Sequence, residues 1–70
     1  MTSNLTDRII AFEQGELGNA GIIDLFAELI RSGQAWSLQG TYGRTARTLI
    51  EAGYITPDGT ITEAGLEIGG

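Results

Sequence analysis

The sequence predicts a mainly α domain, α+β in detail, with three helices followed by a C-terminal two-stranded hairpin. Three observations lead there. Apolar residues recur at helical spacing in three stretches. A glycine closes each stretch, at Gly15, Gly33 and Gly53. The tail then carries two triplets of aromatic and β-branched residues on either side of Pro57-Asp58-Gly59. Seventy residues hold one such unit, so residues 1–70 form a single small domain.

The first helix is expected from Leu5 to Gln14, capped by Asn4, with Asp7 placed favourably in the first turn. Leu5, Ile9 and Phe12 share a face. The second runs from Ala20 to Ser32 with Asn19 as its cap, and Ile22, Leu25, Phe26, Leu29 and Ile30 make a broad apolar stripe. Gln34 to Gly40 is apolar at Trp36 and Leu38, and that period of two predicts an extended connector laid on the core. Trp36 is accordingly expected inside, covering the gap between the second and third helices. Its other reading is an interface anchor, because Trp and Arg dominate binding hot spots.

The third helix is expected from Thr41 or Tyr42 to Ala52, with Tyr42, Ala46, Leu49 and Ile50 inward and Arg44, Arg47, Thr48 and Glu51 outward. In the tail, Tyr54-Ile55-Thr56 and Thr60-Ile61-Thr62 are the expected strands. Pro57 presets the turn and Gly59 permits a positive φ. A last helical turn capped by Thr62 follows, over Thr62 to Ile68.

Composition narrows the chemistry. There is no cysteine, so neither a disulfide nor a thiolate metal site can form. Histidine and lysine are absent too, which removes the commonest general base, the commonest zinc ligand and Schiff-base catalysis. No nucleophile–base pair stands out, and oxygen ligands at scattered spacing specify no metal. The sequence therefore predicts a non-enzyme without cofactor or metal. No apolar run approaches the roughly 18–20 residues of a membrane span, and Met1 to Arg8 lacks the form of a signal peptide.

Nine acidic residues against four arginines give a net charge of −5. Glu13, Glu16, Asp24 and Glu28 lie on or beside the first two helices. They are either ordinary solubility charge or an acidic face that attracts a basic partner surface. Arg44 and Arg47 stand three apart on one helix side, next to Thr41 and Tyr42. They are either a solvated pair, with Arg47 near Glu51, or a pair presented to carboxylate or phosphate. Gly40-Thr41-Tyr42-Gly43 resembles an anion cradle but lacks the lysine and spacing of a P-loop, so Thr41 is expected to serve as a cap.

Two resemblances add to this. The run from Ala46 to Gly65, ARTLIEAGYITPDGTITEAG, resembles the passage from recognition helix through wing in winged helix-turn-helix regulators. That implies a winged-helix-like fold and a third helix that enters the DNA major groove with Thr41, Arg44, Arg47 and Thr48. The acidic surplus and Asp58 at the wing tip depart from that pattern, because duplex binding draws much of its affinity from phosphate neutralisation. The run AWSLQGTYGRTARTLIEAGYI from Ala35 to Ile55, with RIIAFEQGEL from Arg8 to Leu17, resembles a family of very small phage-encoded proteins. Some small acidic phage proteins are anti-CRISPR inhibitors. This resemblance implies an inhibitor in the cytoplasm of the host bacterium that binds a Cas subunit of a type I surveillance complex and blocks target-DNA binding or nuclease recruitment. Its implied contacts are the acidic face of Glu13, Glu16, Asp24 and Glu28 and the third-helix face of Thr41, Tyr42, Arg44 and Arg47. The alternative is a small winged-helix transcriptional regulator that uses Arg44 and Arg47. The protein itself is expected as a monomer or weak homodimer.

Overall fold

The apolar stripe from Ile22 to Ile30 becomes the wall on which the other helices pack. The computed structural model describes residues 5–38 and 40–69. Within them the order is α1 (Leu5–Glu13), α2 (Asn19–Ser32), α3 (Gln34–Ser37), α4 (Gly40–Glu51) and α5 (Glu63–Gly69). Helix α2 contacts all four of the others, and α3 also packs on α4. Six of the ten fully buried apolar residues belong to α2: Ile23, Leu25, Phe26, Ala27, Leu29 and Ile30. Ala35, Tyr42, Ala46 and Ile55 complete the core. Burying a side chain the size of Phe26 contributes about 2–3 kcal/mol.

The glycine stops hold. Gly15, Gly33 and Gly53 adopt φ of 74°, 83° and 84°. At Gly15 and Gly53 the paired backbone bonds of a Schellman motif close the helix. Asn19 is the first residue of α2 rather than its cap, a position held by Gly18 without a side-chain hydrogen bond. The cap expected at Asn4 lies outside the described residues.

The fold departs from expectation at two places. The connector after Gly33 is the short helix α3, not an extended segment. Ala35 is buried there and Trp36, one residue on, is 51% exposed. One helical step rotates the side chain by about 100°, so a single α3 residue reaches the core and the indole points to water.

The two-stranded hairpin does not form either. Ile55 and Ile61 make one isolated antiparallel bridge, and the described residues contain no strand. The helix ends on both sides consume the flanking groups. Tyr54 N–H returns to the Leu49 carbonyl to finish α4. The Thr62 hydroxyl donates to the Gly53 carbonyl and accepts the Gly65 N–H at the start of α5. Too few residues are left for a ladder. With five helices and no wing among the described residues, the three-helix winged-helix-like arrangement is corrected to an all-helical one.

The turn between the bridged residues is a docking element. Gly59 N–H bonds the Thr56 carbonyl at 2.9 Å, and Thr60 N–H bonds the Thr56 hydroxyl at 3.0 Å. The Thr56 hydroxyl also donates to Asp58, which holds that carboxyl below the usual range. Gly59 is buried at φ 94° against α2. A Cβ there would lie 2.8 Å from the Ala27 carbonyl and the Arg31 backbone nitrogen. Gly65 presses on the Tyr54 carbonyl in the same way. At Gly43 the nearest foreign atom to a Cβ is 3.7 Å away, an ordinary contact. Gly59→Ala should therefore cost on the order of 2–3 kcal/mol, from strain and overlap together. Gly43→Ala should stabilise by up to about 1 kcal/mol, because alanine is the better helix former. Urea midpoints followed by far-ultraviolet circular dichroism check both; equal midpoints would refute the docked turn.

Candidate functional site

The predicted site residues fall into two regions. On the first, Asp24 and Glu28 stand one turn apart on α2 and line a groove of about 540 Å³. Arg8, Arg31, Leu17 and Ile61 line it with them. Arg8 and Glu28 form an ion pair at 2.5 Å that joins α1 to α2. Two arginines and two carboxylates thus share the groove, and its charge is mixed rather than acidic.

Glu16 is exposed beyond the end of α1, and Glu13, also exposed, accepts a hydrogen bond from the Tyr42 hydroxyl at 2.6 Å. The four acids do not build one clean field. Two of them serve as polar latches on α1, a helix that has no fully buried residue of its own. Phe12 is its apolar anchor, edge-on to Phe26 at 5.1 Å and tilted against Tyr42 at 5.6 Å.

Tyr42 was expected among the partner contacts of the third helix, and here the structure corrects the reading. Tyr42 is 4% exposed and belongs to the core, its ring stacked 6.0 Å from Phe26. Helical spacing separates it from Arg44 and Arg47, which are exposed. Thr41 is exposed too, but it lies inside the first turn of α4 instead of capping it. Its hydroxyl takes a long 3.5 Å contact from Arg44.

The second region is therefore Arg44 and Arg47 with Trp36. These three and the glycines Gly40 and Gly43 line a groove of about 340 Å³ between α3 and α4. Gly40, Gly43, Arg44 and Arg47 follow the i, i+3, i+4, i+7 stripe of one helix face. The stripe is bare at its start and guanidinium-lined at its end. Among the described residues neither arginine has a carboxylate partner, and the Arg47–Glu51 pair is not formed. The spacing of the arginines marks them in the sequence; Trp36, expected inside with an interface anchor as its other reading, stands outside the core, and Gly40 and Gly43 line the groove beside it. In the single turn of α3, Ala35 takes the core side and Trp36, one helical step on, faces outward.

Neither region gathers three or more metal-ligating side chains among the described residues, and no helix there is long and apolar enough to cross a membrane. In comparisons with known proteins, the family model described as a domain of unknown function, DUF7417, matches residues 1–69. No curated protein and no solved structure matches the chain.

The latch has a pH signature. Burial first, then the hydrogen bond to Glu13 and its negative charge, push the Tyr42 phenol from 10.0 up to about 12. Its contribution to stability is complete below pH 10 and is lost as pH rises from 10 towards 12, where the unfolded chain ionises first. Urea midpoints measured across that range should fall more steeply for the wild type than for Tyr42→Phe. Parallel curves would show that the phenol keeps no such proton.

Proposed function

The chain belongs to the DUF7417 family, and we propose that it is a non-enzymatic inhibitor of phage origin that acts by binding a protein. The observation that carries this reading is the pairing of a half-exposed Trp36 with the unpaired Arg44 and Arg47 over a glycine-floored groove. Tryptophan and arginine are the residues richest in binding energy at protein interfaces. An indole left in water gains apolar burial when a partner covers it, on the order of 2 kcal/mol or more. A guanidinium without an internal partner offers a bidentate fork to a carboxylate at no cost to the fold.

The resemblance to small phage proteins extends the reading to a Cas subunit of a type I surveillance complex as the partner. In this proposal Trp36, Arg44 and Arg47 anchor the contact. The acidic remainder, at net −5, occupies the space of the target nucleic acid and repels it. Blocked DNA binding or blocked nuclease recruitment follows from that placement.

The regulator alternative loses its wing, since the turn that would supply it is packed on α2 with Gly59 buried. The two arginines of that helix face on an acidic body also give little phosphate neutralisation.

A purified type I surveillance complex should be retained by the tagged chain. Trp36→Ala combined with Arg44→Glu and Arg47→Glu should weaken retention by at least about tenfold. Reversing Asp24 and Glu16 should change it less. Failure of every such complex to bind removes the named target. Retardation of duplex DNA that depends on both arginines would establish the regulator instead.

A further inference from the structure

Helix α5 presents a surface of opposite character to the Trp36 groove. Glu63, Leu66 and Glu67 stand at i, i+3 and i+4, so they share one face. All three are exposed, Leu66 at 62%, the most of any large apolar residue described. Among the described residues neither glutamate has a cationic partner. The other side of α5 is taken up by the fold, where Gly65 lies tight against Tyr54 and Ile61.

The molecule thus carries an apolar knob between two carboxylates on one element. On another it carries an indole-walled slot ending in two guanidiniums, over glycines that leave room for a knob. Opposite charges left unpaired within one chain, each beside an exposed apolar group, are complementary between two chains.

We propose that a second copy of this chain docks its α5 face, through Glu63, Leu66 and Glu67, into the Trp36–Arg44–Arg47 groove. Leu66 lies against the indole over Gly40 and Gly43, and the two glutamates meet the two arginines. A seven-residue helix covers a small area, so the contact falls at the low end of specific interfaces, with Kd on the order of 100 µM. The net charge of −5 on each copy works against it and is screened beyond about 8 Å at physiological salt. The inference uses the face assigned to the partner but requires no foreign protein, and a foreign partner at Trp36 would displace the second copy.

Charge exchange tests it, read by sedimentation equilibrium of the full chain at protein concentrations of about 0.1–1 mM, bracketing that Kd. The wild type should self-associate. Arg44→Glu with Arg47→Glu should weaken association by at least about tenfold, because like charges then face each other. Glu63→Arg with Glu67→Arg should weaken it as much, although this variant lowers the net charge and its overall repulsion. An equimolar mixture of the two variants should associate like the wild type, since every contact in the mixed species pairs opposite charges again. Circular dichroism of each variant alone confirms folding. A monomeric wild type at 1 mM overturns the proposal, as does a Glu63/Glu67 variant that associates more strongly than the wild type, or a mixture that stays monomeric. None of these results alters the retention of a surveillance complex, so the two readings fail separately.

Discussion

The apolar face of α2 is the constraint on which the structure depends. At seventy residues there is room for one core, and Ile23, Leu25, Phe26, Ala27, Leu29 and Ile30 supply most of it. The other elements bring one or two fully buried residues each, or none. Each is therefore stable where α2 offers it a surface, and a cavity in α2 is felt by all of them. Helix α1 is the extreme case. It is held by the Phe12 ring and by hydrogen bonds at either end, from Arg8 to α2 and from Tyr42 to Glu13. Few buried contacts place it at the low-stability end of the molecule, where local opening begins.

Long periodic segments were legible in the sequence and short ones were not. Helices α1, α2 and α4 follow from apolar spacing, and the glycines that end them fall where expected. Gln34 to Ser37 was not legible, because a single turn gives a pattern-reader two apolar residues, and Trp36 and Leu38 fit a strand as well as a helix. The Tyr-Ile-Thr and Thr-Ile-Thr triplets have real β propensity and the turn between them forms. Their neighbours at Gly53 and Thr62 are committed to closing α4 and opening α5, and the chain length left over supports one bridge. Tertiary context overrode local preference at both places.

The site was half legible for the same reason. Arg44 and Arg47 were found because two charged residues at i, i+3 share a side whatever the helix packs against. Tyr42 was assigned to that side and to the core at once, and burial decides for the core. Composition also overstated the acidity of any one surface. Arg8 neutralises Glu28, Arg31 stands in the same groove, and Glu13 is engaged by Tyr42. Among the described residues the two arginines of α4, like Arg31, have no carboxylate partner. In the proposed role, recognition would rest on a few local anchors more than on a long-range field.

The exposed indole has an optical consequence. Trp36 is the one tryptophan in the chain, and it stands outside the core with about half its surface in solvent. Its emission therefore says little about whether the core is intact, which is the usual use of tryptophan fluorescence. It reports instead on whatever comes to rest against α3, so the native chain carries an intrinsic, label-free reporter of contact at that spot.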